Sequence, residues 1–284
     1  MNRIIFNTFK RGSKTYFYSS IFFSKEVRDD VFALYSFVRK ADNFVDVVPQ
    51  MKDEFYRFKD AYDNALRGKT SSDIIINSFV SLMRRKSLKR AWVDAFFESM
   101  EMDLTKQRYE TIEETLHYVY GSAEVIGLMM AKIMDLDPQS YPYAQYLGRA
   151  MQYINFIRDI EEDLTLGRTY LPLGNSPLER LNCDYVSKRK DVFIEFIRAN
   201  IALYRQWQKE AEKGFAYIPK RYLIPIKTAS DMYQWTAERI YRNPLIVYQK
   251  KVKPSIPRIV FQIAANSLMG TKDQSSSRGA ETNG

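Results

Sequence analysis

Apolar side chains recur three and four residues apart through almost the whole chain, and few runs alternate with the two-residue period of a strand. The 11 glycines and 10 prolines mostly fall between these periodic segments, so the breakers punctuate helices instead of interrupting them. The spacing predicts helices over residues 25–47, 52–67, 72–84, 88–104, 111–135, 138–166, 187–217, 228–251 and 257–268, with ends good to about two to four residues. "LPLGNSPLERLNCD" (171–184), with two prolines and a glycine, reads as the clearest internal loop. No repeat of fixed period is present. The expectation is a single all-α domain over residues 1–270, and a polar tail, 271–284, with the composition of a disordered segment.

Bulk properties narrow the function. A GxGxxG or GxxxxGK[ST] loop is absent, so the usual nucleotide-binding loops are not encoded. One cysteine, Cys183, and one histidine, His117, exclude an internal disulfide and any cysteine- or histidine-rich metal cluster, and both read as structural. No apolar run reaches the roughly 18 residues of a membrane span, and the basic start "MNRIIFNTFKRGSK" lacks the apolar core of a signal peptide. A cytoplasmic location is expected, with peripheral contact at a membrane surface as its extension. The 43 basic against 34 acidic side chains, a net +9, fit an anionic partner such as a phosphorylated substrate or an anionic membrane. Nucleic acid is not expected, because the arginines cluster with acids and form no unbroken basic stripe.

Two acidic helices carry the chemistry. In "NFIRDIEEDLTLGRTYLP" (155–172), four of the five residues 159–163 are acids. At about 100° per residue, Gln152, Asn155, Asp159 and Asp163 share one stripe opposite Ile154, Ile157, Ile160 and Leu164. In "DDVFALYSFVRKADNFVD" (29–46), Asp42 and Asp46 extend the inward stripe of Val31, Tyr35 and Val38, with Ser36, Lys40 and Asn43 on the other side. An inward carboxylate is costly unless it is paired or bound to metal. Two D-x-x-x-D pairs facing each other across a cavity would hold Mg²⁺, which shares its coordination between carboxylates, waters and substrate phosphates. Salt bridges to Arg39 and Arg158 are the alternative way of satisfying the same acids.

The motifs, taken in order, resemble the squalene/phytoene synthase family. "SKTYFYSS…FALYSFVRKADNFVD" resembles its first conserved block and "YVYGSAEVIG" (118–127) its middle block. "MQYINFIRDIEEDLTLGRTYLP" (151–172) resembles its second aspartate block, and the likeness runs from about Ser13 to about Arg258. The resemblance implies a single-domain helical bundle of the isoprenoid-synthase type around a central hydrophobic cavity. It places the metal acids at Asp42, Asp46, Asp159 and Asp163, with Mg²⁺ as the ion and Mn²⁺ as its substitute. Gln152 and Asn155 match polar residues lining the site, and Arg39, Arg158 and Arg168 match basic positions near the diphosphates. Ser13, Tyr16, Tyr35, Asp103, Tyr118 and Tyr170 match positions implicated in substrate binding or in the cation steps. Glu124 departs from the family pattern, standing where a small residue is common beside the cavity.

The implied reaction joins two allylic prenyl diphosphates head to head through a cyclopropylcarbinyl diphosphate. Two geranylgeranyl diphosphates would give phytoene. Two farnesyl diphosphates would give squalene or dehydrosqualene, with NADPH needed only for a squalene-type enzyme. Tyr16, Tyr18, Phe22, Tyr118 and Tyr120 are candidates for aromatic walls around a cation, and Asp103 for a buried partner of a tyrosine hydroxyl. A class I terpene cyclase would carry a different second metal motif. A non-catalytic assembly protein with the same fold would be expected to have lost some of the four acids.

Overall fold

The computed structural model describes residues 3–12, 20–174 and 176–278, with side chains described over 3–9, 20–174 and 176–268. Thirteen α-helices account for most of these residues: α1 (Arg3–Gly12), α2 (Lys25–Val45), α3 (Lys52–Leu66), α4 (Ile74–Lys86), α5 (Arg90–Thr105), α6 (Ile112–Val119), α7 (Val125–Ile133), α8 (Tyr141–Arg158), α9 (Ile160–Thr165), α10 (Cys183–Ser187), α11 (Lys190–Lys213), α12 (Lys220–Arg242) and α13 (Ile256–Arg278). Among the described residues there is no strand, only an isolated bridge between Arg108 and Thr169. The helix α13 continues into the polar segment 271–284 as far as Arg278.

The core is built in two halves. In the first, Phe37 stacks on Phe79 at 3.9 Å between ring centroids, and Phe55, Phe58, Tyr62, Phe96 and Phe97 close around them. In the second, α8 packs along α11, burying Tyr153, Ile154, Ile157, Phe193, Ile197, Ile201 and Tyr204. A cavity of about 310 Å³ lies among α2, α7, α8 and α12 and is lined from both halves, the size of an ordinary small-ligand site.

Four departures from the sequence expectation have physical causes. The N-terminal α1 was not expected. It is held by tertiary contacts, with Phe9 stacked on Phe32 at 4.1 Å and the Ile5 carbonyl accepting from Ser36 Oγ at 3.3 Å. Ser36 is therefore buried beneath α1 instead of lying on an outer face. The helix expected over 111–135 contains a π turn, Tyr120–Glu124. Gly121 lets that turn approach α5 closely, since a Cβ there would meet the Ala95 carbonyl oxygen at 2.0 Å. The helix expected from 228 begins at Lys220, runs through Pro225, and ends at Arg242 before Asn243-Pro244. Arg221 Nε donating to the Phe22 carbonyl at 2.7 Å helps anchor its first turn, and Pro244 biases the preceding residue away from helix. Finally, the helix expected over 138–166 breaks at Asp159 (φ −103°, ψ 19°). The break turns Glu161, Glu162 and Asp163 into the first turn of α9, where amide dipoles favour negative charge.

Candidate active site

Asp42 sits in the last turn of α2 and lines the cavity. No basic group lies within ion-pair distance of it among the described residues. Burial pushes its carboxyl up to about 8, with the charge of Asp46 adding to the shift and Arg39 opposing it. Arg39 itself makes no ion pair among the described residues. Asp46 is the C-cap of the same helix and lies at the rim, its side chain 40% exposed, so it does not continue the buried stripe as expected. Arg168 Nη1 donates to it at 3.0 Å.

Arg168 arrives from the turn after α9 and is 3% exposed. It also donates to Tyr170 Oη at 3.2 Å and to the Val45 carbonyl, and it stands 3.6 Å from Asp103. Asp103 is buried at the end of α5, where its carboxylate accepts from Tyr118 Oη at 2.8 Å and Tyr170 Oη at 2.6 Å. Burial raises the Asp103 carboxyl to about 6, against the lowering effect of Arg168 and the two hydroxyls. Burial also pushes both tyrosine hydroxyls well up. The rings cluster, with Phe156 stacked on Tyr170 at 4.4 Å and Tyr118 tilted against Tyr170 at 4.9 Å. Tyr118 is thus behind the cavity and not in its wall, because its hydroxyl is drawn to Asp103. Phe22 and Tyr120 are also absent from the wall.

On the second acidic segment, Asp159 is held by its neighbour. Arg158 Nε donates to Asp159 Oδ1 at 2.8 Å, and Nη2 donates to Oδ2. Lys251 Nζ adds a contact at 3.7 Å and pairs with Glu162. Asp163 has no ion pair among the described residues. Burial raises its carboxyl well above the usual range, with Asp159 adding to the shift. Asp163 lines a small cleft with Arg168 and Tyr170, and the Arg168 amide donates to its carbonyl at 2.8 Å. The two acidic segments therefore meet across Arg168.

Tyr35, Asp42, Gln152 and Asn155 form the polar end of the cavity. Asn155 Nδ2 donates weakly to Gln152 Oε1 at 3.4 Å, while Asn155 Oδ1 is buried with no partner. The orphaned oxygen lies at the same end of the cavity as Asp42, and oxygen donors of this kind are the type a hard divalent cation takes. No three carboxylates among the described residues converge closely enough to cage an ion by themselves. Ser13, Tyr16 and Tyr18 lie outside the described residues.

Glu124 points away from the cavity. It is 2% exposed and receives Arg149 Nε at 2.6 Å, so the departure from the family pattern is absorbed by an ion pair behind the wall. Sequence reasoning missed two residues. Tyr233 lines the cavity from α12, and Lys251 covers Asp159 although "QKKVKPSIPR" reads as a solvated face. No spacing rule links either to the aspartate blocks, since only folding brings them there.

The fold matches that of solved head-to-head synthases. A squalene synthase from Alicyclobacillus acidocaldarius superposes with a TM-score of 0.75 at 19% identity, covering 84% of this chain and 92% of that one. A dehydrosqualene synthase solved with a ligand gives 0.75 at 17% identity, covering 94% and 95%. The bundle is thus the helical isoprenoid-synthase fold. The squalene/phytoene synthase family model matches residues 9–258, and the chain belongs to that family. It is 28% identical over 258 residues to the chloroplastic phytoene synthase of Daucus carota, covering 84% of this chain and 63% of that protein. It is 27% identical over 275 residues to the 15-cis-phytoene synthase of Enterobacter agglomerans, covering 90% and 91%. The chain spans about three fifths of the length of the Daucus carota, Oncidium and Arabidopsis thaliana phytoene synthases it matches.

Proposed function

We propose that this protein condenses two molecules of geranylgeranyl diphosphate head to head into phytoene, through a cyclopropylcarbinyl diphosphate. The observation that carries the reading is the likeness to phytoene synthases over most of the chain, together with the long apolar cavity that ends at Asp42, Gln152 and Asn155. Its wall runs from Asn155 at the polar end to Ser140 at the far end, about 20 Å of helical rise.

Asp42, Asp46, Asn155, Asp159 and Asp163 are the residues that would hold Mg²⁺, or Mn²⁺ in its place, and the ion would supply positive charge to the leaving diphosphate. The chain's own groups do the rest. Arg39 is free to take a diphosphate oxygen, and Arg158 and Lys251 can turn to the diphosphate once Asp159 has another counter-charge. Carbon–oxygen cleavage leaves an allylic cation, which the double bond of the second molecule captures with loss of one proton. A second cleavage and rearrangement end in loss of a second proton, so two diphosphates leave for each pair of chains joined. Asp103 is a positioning residue: by accepting from both hydroxyls it fixes the rings of Tyr118 and Tyr170 beside Phe156. The apolar bore of Val31, Leu34, Ile126, Met130 and Leu147 excludes the water that would quench the cation. No reductant is needed for this outcome. The chain is read as working at the surface of an anionic membrane, where prenyl chains are dissolved.

The test is product analysis. Purified protein with Mg²⁺ is given geranylgeranyl or farnesyl diphosphate, with and without NADPH. Phytoene from the longer substrate, independent of NADPH, is expected. Conversion of farnesyl diphosphate alone would overturn the assignment in favour of squalene or dehydrosqualene formation.

A further inference from the structure

The far end of the bore is narrowed by an aromatic pair. Along α8 the cavity-facing residues step down one stripe, from Asn155 and Gln152 through Gly148 and Ala144 to Tyr143, about 18 Å of helical rise from the polar end. Tyr143 stands in the first turn of α8, one turn from Ser140. Its ring stacks on Tyr217, with 5.8 Å between centroids and 23° between planes. Tyr217 closes the short turn Gly214–Tyr217 that follows α11, and Gly214 lines the cavity beside Tyr143.

Gly214 is there for space. Its φ of −70° and ψ of −16° lie in the ordinary right-handed helical region, so the backbone does not ask for glycine. A Cβ at 214 would meet Tyr143 Cβ at 2.4 Å and Cγ at 3.2 Å, so only a glycine lets Tyr143 stand this close to the turn. Met134, Leu136 and Ile218 also line the cavity, and aliphatic side chains of this kind yield by changing rotamer. The Tyr143 ring has no such freedom, because the Gly214 backbone blocks it on one side and Tyr217 covers one of its faces. A chain whose diphosphate is fixed at the polar end therefore meets a rigid obstacle in the last turn of the bore.

We propose that Tyr143, seated against Gly214 and backed by Tyr217, limits the length of prenyl chain that the bore accepts. This rests on the proposed function for the identity of the ligand, but not for the direction of its test. Initial rates with Mg²⁺ are measured at one low concentration of geranyl, farnesyl, geranylgeranyl or geranylfarnesyl diphosphate, for wild type, Y143A, Y143F and Y217A, with products identified by mass spectrometry. The readout is the rate with the chain one isoprene unit longer than the best substrate of wild type, divided by the rate with that best substrate. Y143A should raise this ratio about tenfold or more, the scale on which hydrophobic pockets discriminate. Y217A should raise it by a smaller factor, and Y143F, which keeps the ring, should restore the wild-type order of chain lengths. A variant that is merely destabilised lowers all rates together, so an unchanged ratio in Y143A, or a shift towards shorter chains, overturns the proposal. If Y143A loses its thermal unfolding transition, Y217A is read by the same ratio, and no rise there overturns it equally. A wild type that prefers farnesyl diphosphate would overturn the phytoene assignment and leave this comparison intact, because the ratio is taken against the best substrate of wild type itself.

Discussion

The two D-x-x-x-D pairs have the same spacing and opposite internal order. On α2, the helix continues through Asp42, which is half-buried with no ion pair among the described residues, and Asp46 at its end is held by Arg168. On the second segment the backbone breaks at Asp159, which Arg158 holds, and the uncompensated acid is Asp163, one turn further on. Each pair thus presents one acid neutralised by an arginine and one that burial pushes towards its protonated form. The difference teaches that spacing sets where a carboxylate stands along the chain, while its neighbours in space decide whether it is free for a cation.

The sharpest break of this comparison is Asp42→Asn against Asp163→Asn. Each should lower turnover by on the order of 10²–10³-fold, the scale of a lost electrostatic contact to the transition state. In metal-free protein near pH 7, Asp42→Asn should melt ~3 °C or more above wild type. The folded state holds the Asp42 proton to about pH 8 while the unfolded chain releases it near pH 4, so wild type loses stability as pH rises across that window. A melt below wild type would show that Asp42 is compensated after all. Arg168→Met ranks next. It leaves Asp46 and Asp103 without their cation, and about 3–5 kcal/mol of stability should go, measured by urea unfolding.

Smaller effects refine the picture. Mg²⁺ with inorganic diphosphate should raise the melting temperature, by about 3 kcal/mol of binding linkage at a hundredfold excess over Kd, and Mg²⁺ alone should raise it little. Equal shifts would mean that the acids converge without phosphate. Asp103 lies at about 6, above its unfolded value near 4, so its contribution is present below pH 4 and lost as pH rises through 6. Urea midpoints of wild type and Asp103→Asn across that range should therefore diverge, with the steeper downward slope in wild type, since Asp42 remains in both. Lys251→Gln should change kcat little and raise KM several-fold at low salt, as removal of an exposed rim charge does.

Much of the site was legible in the chain because helical period and residue type suffice for it. Asp42 belongs to the apolar stripe of Val31, Tyr35 and Val38, and Asn155 and Gln152 share a face at the cavity end of α8. Asp103 in "MEMDLTKQRY" was legible as a candidate partner of a tyrosine hydroxyl; that the tyrosines are Tyr118 and Tyr170 follows from contacts 15 and 67 residues away in sequence. The break at Asp159 was hidden too, because a helix interrupted by a change at one residue keeps its apolar period on both sides.

By itself the sequence determined that the chain is helical throughout, where its acids stand along those helices, and the family motifs they belong to. Those properties are local, set by spacing along one segment. Tertiary structure alone decided which arginine neutralises which aspartate, that Glu124 turns from the cavity, that Lys251 covers Asp159, and that Gly214 lies against Tyr143. Each of these depends on what another segment brings within a few ångströms, and charge and burial act through space rather than along the chain.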